Sequence, residues 1–152
     1  MKIVLKIFLI AALLSCKSNK EEKQEDDLYI MAGQEQAQAN PVQQSESYKR
    51  GKEVYNDFCV TCHLANGKGI SGAFPPLDGS NWLTKKRTES ISAVKHGLKG
   101  PIEVNGEEYN SVMVDLGLTD EEVADVMNYI NNSWSNRIEE PVTVEEVAKV
   151  EK

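Results

Sequence analysis

The chain lacks a long apolar run, an excess of positive charge and an internal repeat. Its longest apolar run, residues 7–14, is too short for a membrane-spanning helix of about 20 residues. Basic residues number 17 against 24 acidic ones, a net charge of −7, which argues against nucleic acid as a partner. Only three cysteines and two histidines are present, so metal or redox chemistry has few side chains to draw on.

Two of those cysteines and one histidine stand together in Cys59-Val60-Thr61-Cys62-His63. C-x-x-C-H is the attachment signature of a c-type haem. On a helix, positions i, i+3 and i+4 share one face. Cys59 and Cys62 can therefore each form a thioether to a haem vinyl group, while His63 binds the iron.

Two other interpretations of this motif compete. A C-x-x-C pair can be a thioredoxin-like redox centre, but that motif belongs in a βαβ context, and the sequence shows none. It can also be half of a zinc site, which needs about four ligands. Only Cys16 and His96 remain as candidates, and neither is suitably spaced. The motif therefore favours haem, and with both cysteines attached to it no structural disulfide is expected.

Residues 1–15 are predicted to be a bacterial lipoprotein signal peptide. A basic start and a short apolar core are followed by Leu13-Leu14-Ser15-Cys16, which resembles a lipobox, where the cysteine is lipidated and becomes the mature first residue. The alternatives are an ordinary signal peptide or an uncleaved anchor with an incidental cysteine. Lipidation at Cys16 would hold an exported protein on a membrane.

Residues 16–45 are predicted to be a flexible tether that follows the lipidated cysteine. The segment is polar and poor in aromatic residues, so it cannot bury enough apolar surface to order itself. About 28 residues of coil would give a reach of roughly 30 Å. A single compact domain is expected over residues 46–135, followed by a tail at 136–152.

Helices are predicted at both ends of this domain. Ser45 or Ser47 can cap the first one, which carries Gly51, Tyr55 and the C-x-x-C-H motif. Thr119 and Glu122 form a capping box for the last. Between them, Asn105-Gly106 flanked by short β-forming runs predicts a hairpin near residues 101–109.

The pattern Gly51-x-x-x-Tyr55-x-x-x-Cys59-x-x-Cys62-His63, with Tyr129 on a C-terminal helix, resembles the monohaem class I cytochromes c. This resemblance covers roughly residues 47–135. It implies an all-α, cytochrome c-like domain around one covalent haem c, in which the first and last helices cross at a glycine–aromatic contact.

The resemblance also assigns residues around the haem. Phe74-Pro75-Pro76-Leu77 fits the family's P-x-L segment, so the Pro75 carbonyl would accept a hydrogen bond from His63 Nδ1 and Leu77 would pack on the haem. Without the family, the Pro-Pro pair is a stiff turn. Trp82 either donates to a haem propionate or fills core.

The family position of the sixth iron ligand falls on Met113. It lies in Tyr109-Asn110-Ser111-Val112-Met113, shortly before the last helix, although Val114 follows where many relatives have proline. His96 competes for this role, but its position beside Gly97 is typical of a helix end. Histidine and methionine together give an electron-transfer centre with a raised potential.

These features predict a membrane-anchored monohaem electron carrier that faces the periplasm, and not an enzyme. Loss of the signal's two lysines would bring the net charge to about −9, which favours a basic patch on a redox partner such as an oxidase, a reductase or a dehydrogenase. The alternatives are a haem-containing docking subunit of a larger respiratory complex, or a haem enzyme or gas sensor with a labile sixth ligand. In the tail, Thr143 and Glu146 predict a short capped helix on the domain surface.

Overall fold

The computed structural model describes Gln43 and residues 45–152. The predicted signal peptide, Cys16 and nearly all of the predicted tether lie outside these residues. The helices are α1 (Glu46–Val54), α2 (Val60–His63), α3 (Asn81–Lys85), α4 (Arg87–His96), α5 (Asp120–Asn131) and α6 (Val144–Ala148), and the strands are β1 (Ile102–Val104) and β2 (Glu107–Tyr109). Within this part of the chain, no helix has the length and apolar character to cross a bilayer.

Helix α1 begins where the sequence predicted. It is followed by a π-helical turn that the sequence did not predict. The Ser45 hydroxyl accepts a hydrogen bond from the Tyr48 N–H at 3.1 Å and caps α1. A π-helical turn, Tyr55–Cys59, then joins α1 to α2 without a break in the right-handed backbone. Such turns add a residue to a helical repeat and are frequent at functional sites. The helix ends at His63, because Leu64 leaves the helical region with φ 62°.

Helices α1 and α5 cross at Gly51. A Cβ atom at this position would lie 1.9 Å from the Asp125 carbonyl oxygen and 3.0 Å from Tyr129 Cβ. Glycine therefore lets the two backbones approach, which offsets its cost of about 1 kcal/mol in a helix interior. The predicted crossing is confirmed, and so is the capping box that begins α5, where Thr119 and Glu122 satisfy one another's main-chain groups.

Aromatic rings fill the space beside this crossing. The centroid of the Tyr129 ring lies 5.0 Å from Tyr48, 5.3 Å from Tyr55 and 6.0 Å from Trp134. The Tyr55 hydroxyl donates to the Leu64 carbonyl at 2.7 Å, so the buried ring also fixes the end of α2. These contacts hold the C-x-x-C-H segment against the core.

The predicted hairpin is present as β1 and β2, an antiparallel pair in which Ile102 faces Tyr109 and Val104 faces Glu107. Its two-residue loop is Asn105-Gly106, with φ 54° and 84°. Positive φ at both loop residues is the geometry that an Asn-Gly sequence favours. The fold is thus all-α with one small sheet, as predicted.

The C-terminal tail packs more deeply than its sequence indicated. Thr143 caps α6 as expected, but Val142, Val147 and Val150 are buried in the same core cluster as α5. Arg87 anchors the tail to α4 with two hydrogen bonds to the Glu146 carboxylate, at 2.7 and 2.8 Å.

Candidate functional site

The three residues of the haem-attachment motif lie together on one cavity. Cys59 ends the π-helical turn, and Cys62 and His63 lie in α2. All three line the larger of two neighbouring cavities. The local fold therefore gathers two thiols and one imidazole at a single opening.

The two cavities adjoin and form one crevice. They enclose about 790 and 610 Å³, including the open space at their mouths. Both are lined by a shared set of residues: Cys59, His63, Pro75, Leu98, Ile102 and Met113. Among the described residues that line them, none is an Asp, Glu, Lys or Arg. The crevice is therefore suited to a large, mostly apolar group.

His63 is oriented by the main chain of the following loop. Its Nδ1 lies 3.0 Å from the Pro75 carbonyl oxygen, the contact that the P-x-L resemblance implies. With Nδ1 donating to that carbonyl, Nε2 is left as the nitrogen with a free lone pair. Burial lowers the pKa of His63, against the opposing effect of the Pro75 hydrogen bond. The ring is therefore kept in the neutral form that a metal requires.

Met113 lines both cavities, together with His63. Its backbone is fixed by a pair of hydrogen bonds with Leu98, at 2.8 and 2.9 Å, just after α4. Gly97 permits this approach, since a Cβ there would lie 2.6 Å from the Met113 carbonyl oxygen. A thioether is thus held at the crevice on a segment distant in sequence from His63.

Leu77, Trp82 and His96 are the other sequence-predicted residues that the structure describes. Leu77 and Trp82 line the smaller cavity, and the Trp82 indole N–H makes no hydrogen bond to any described residue. It is therefore available to a ligand. His96, the competing iron ligand, lines neither cavity; its Nε2 lies 3.2 Å from the Val150 carbonyl oxygen in the tail.

The chemistry of the site does not favour the two competing interpretations of C-x-x-C-H. Burial, assisted by the neighbouring Cys62, raises the pKa of the Cys59 thiol to about 11, whereas a redox-active cysteine needs a lowered pKa. Within residues 45–152, no group of three or more His, Cys, Asp or Glu side chains is arranged to hold a metal ion. A zinc centre built from these residues would therefore be incomplete.

A covalently bound haem fits the residues present. The apolar crevice offers two thiols for attachment and an imidazole already oriented by a hydrogen bond. It also offers a thioether from a separate segment. Nitrogen and sulfur are the donor pair of haem electron-transfer centres.

Some features of the site were not anticipated from the sequence. Phe58, Val112 and Val114 are large apolar side chains exposed by 45%, 57% and 60% where they line the larger cavity. Ser111 donates a hydrogen bond to the Ala73 carbonyl. This hydrogen bond joins residues 38 positions apart, which local sequence patterns do not reveal. The apolar residues on either side of Met113 were the one sequence signal for the exposed side chains.

Comparison with known proteins identifies relatives of the domain. A family model described as Cytochrome c matches residues 48–134. Cytochrome c-552 of Thermus thermophilus is 42% identical over 109 residues, covering 66% of this chain and 82% of that protein.

Other relatives are components of dehydrogenases. The cytochrome c subunit of a quinone-dependent alcohol dehydrogenase from Gluconacetobacter polyoxogenes is 30% identical over 104 residues, covering 66% of this chain and 22% of that subunit. The cytochrome c subunit of gluconate 2-dehydrogenase from Pantoea cypripedii is 31% identical over 121 residues, covering 75% of this chain and 26% of that subunit.

Proposed function

This chain belongs to the cytochrome c family and is an electron-transfer haem protein; from that premise we propose that it is a membrane-anchored monohaem carrier of single electrons between respiratory redox partners. The observation that carries the proposal is the crevice itself, where Cys59, Cys62, His63 and Met113 all line the larger cavity. The similarity covers 82% of a protein named as a cytochrome c-552, which supports an independent carrier.

Each residue has a defined task in this proposal. Cys59 and Cys62 would hold the haem through two thioether bonds, each thiol adding across one vinyl group with its sulfur going to one carbon and its hydrogen to the other. His63 Nε2 and Met113 Sδ would hold the iron as its two protein ligands. When bound, haem c supplies a one-electron iron couple.

The remaining residues tune and protect the site. The Pro75 carbonyl orients His63 and increases its basicity as a ligand. The apolar lining excludes water from the crevice, and a methionine ligand raises the reduction potential. With His63 and Met113 both holding the iron, no coordination site would be left for a substrate.

Electrons would enter and leave at the mouth of the larger cavity. Phe58, Val112 and Val114 form an exposed apolar patch there. Asp57 and Asp115, both exposed, flank this patch in sequence. With a chain net charge of −7, the matching partner surface is apolar at its centre and basic at its rim.

Anchoring rests on the sequence of the N-terminal segment. Lipidation of Cys16 after export would hold the domain at a bacterial membrane on the tether of residues 16–45, facing the periplasm. Replacement by C16S is expected to move the haem-loaded protein from the membrane fraction to the soluble fraction. Persistence of the C16S protein in the membrane would rule out the lipid anchor.

The second candidate is a haem-containing subunit of a larger respiratory complex. It is favoured by relatives named as cytochrome c subunits of dehydrogenases. Extraction in mild detergent separates the two: a free carrier migrates alone, and a subunit co-purifies with stoichiometric partners.

Attachment tests the proposal most simply. After denaturation and extraction with acidic acetone, the wild-type pigment is expected to stay with the polypeptide in a ratio of one iron per chain. The C59A and C62A variants each lose one thioether, and the double variant is expected to release its pigment entirely. Pigment released from wild type would refute covalent attachment.

A further inference from the structure

Glu107 links strand β2 to the turn around Ser71 and Gly72. One carboxylate oxygen accepts hydrogen bonds from the Ser71 hydroxyl at 2.6 Å and from the Gly72 N–H at 2.9 Å. The other accepts from the Tyr109 hydroxyl at 2.8 Å. One side chain on β2 therefore fixes a loop 35 residues away in sequence.

The loop on one side of this contact supports His63. Ile70 and Phe74 form an antiparallel bridge, with hydrogen bonds of 2.7 and 2.8 Å, that closes a tight turn around Ser71 and Gly72. Pro75, which receives the His63 hydrogen bond, follows this turn immediately. A shift of the turn would therefore be transmitted to the imidazole.

The segment on the other side leads to Met113. From Glu107 the chain continues through Tyr109 and Ser111, both of which line the larger cavity, and reaches Met113 six residues on. Ser111 makes a second link to the same turn through the Ala73 carbonyl. The contacts of Glu107 and Ser111 thus connect the turn that leads into Pro75 with the segment that leads into Met113, and Pro75 and Met113 both line the larger cavity.

We propose that Glu107 is a positioning residue for the haem centre. Its carboxylate ties the 70–74 turn, which precedes Pro75, to strand β2, which leads into Met113, and so holds the Met113 side of the crevice closed. We call these hydrogen bonds of Glu107 the clasp. This inference rests on the proposed function, in which Met113 is the sixth ligand. The hydrogen bonds from Ser71, Tyr109 and Gly72 lower the pKa of Glu107, so the carboxylate is ionised at neutral pH and its hydrogen bonds are charge-assisted.

The hairpin supplies a matched control. Glu108 is the next residue on β2 and is exposed, and its carboxylate makes no hydrogen bond or ion pair to any described residue. E108A therefore removes a carboxylate of the same size from the same strand without removing a hydrogen bond of Glu107. S71A removes one donor from the turn and leaves the hairpin sequence unchanged.

The test uses the haem-loaded, oxidised protein at pH 7 and imidazole as the probe. Imidazole can bind the iron only when Met113 has moved away, so its rate of binding, followed by the Soret shift, reports opening of the crevice. E107A is expected to bind imidazole about fivefold to tenfold faster than wild type, and S71A about twofold to threefold faster, with E108A unchanged. Amide hydrogen exchange gives a second readout. In E107A it should accelerate at Gly72 and also at Met113, whose own partner, Leu98, is untouched.

Acceleration of both imidazole binding and Met113 exchange in E107A and S71A, relative to E108A, supports the clasp. If both variants behave like E108A while wild type keeps its sulfur–iron absorption band, the clasp is refuted and the axial pair stands. Faster exchange at Gly72 alone, with imidazole binding unchanged, also refutes it, because the contact is then only local. Absence of the sulfur–iron band from wild type overturns the axial pair and, with it, the role given to Glu107.

Discussion

Replacement of Gly51 by alanine tests the helix crossing that supports the haem motif. The new Cβ would lie 1.9 Å from the Asp125 carbonyl oxygen, whereas ordinary contact begins at 3.4 Å. The obstacle is main chain and cannot rotate away, so α1 and α5 must separate by about 1.5 Å. Overpacking of this kind costs about 3 kcal/mol, and the helix propensity of alanine returns about 1 kcal/mol. The expected net loss is about 2 kcal/mol, or roughly 10 °C in Tm.

Unfolding of haem-loaded G51A and wild type in guanidinium chloride, followed by circular dichroism at 222 nm, measures this loss. K52A is the matched control, because Lys52 is exposed on the same helix and a surface change should stay within about 0.5 kcal/mol. A G51A protein as stable as wild type, or more stable, would show that the two helices do not approach at this residue. The crossing would then be refuted.

Two further predictions concern the C-terminal segment. The buried Asn136 side chain makes three hydrogen bonds to main-chain groups. N136A should therefore lower the free energy of unfolding, measured in urea, by about 3 kcal/mol. N110A, at an exposed asparagine, should leave it unchanged, and equal stability of the two variants would contradict the prediction. Arg87 lowers the pKa of Glu146. The ionised carboxylate therefore stabilises the fold above its unfolded-state pKa of about 4.3. This contribution is lost as the pH falls through the lower folded-state pKa. E146Q should therefore be less stable than wild type by about 0.5–1 kcal/mol at pH 7, because the pair is partly exposed. The difference should shrink as the pH falls through the folded-state pKa of Glu146, and a difference that does not change with pH would contradict the prediction.

The parts of the fold that depend on local sequence were predictable. Ser45, Thr119 and Thr143 each cap a helix because a hydroxyl can accept from an N–H two or three residues on. The Asn105-Gly106 turn formed for a similarly local reason. The crossing at Gly51 was implied by the resemblance to the class I cytochromes c, and it is consistent with the cost of about 1 kcal/mol that glycine carries in a helix interior.

Features that depend on contacts between distant segments were not predictable from local patterns. The π-helical turn at Tyr55–Cys59 leaves no signature in residue spacing. Burial of Val147 and Val150 depends on the packing of the tail, in which α6 contacts both α4 and α5. The Glu107 clasp joins residues 35 and 36 positions apart, and a glutamate on a short strand is normally just a solvated side chain.

The haem site was predicted in two different ways. Cys59, Cys62 and His63 follow from one short motif whose spacing carries the chemistry. The assignment of Met113 depends on resemblance, because an isolated methionine is usually core filler. The structure adds that Met113 and His63 line the same two cavities, whereas His96 lines neither.

Axial ligation by Met113 is tested most directly by the absorption spectrum of the oxidised protein near 700 nm, where a thioether bound to haem iron gives a weak band. The wild type is expected to show this band. M127L provides the control, because Met127 lines only the smaller cavity, and it should keep the band, whereas M113A should lose it. A band that survives in M113A, or that is absent from wild type, would contradict a haem iron held between His63 and Met113.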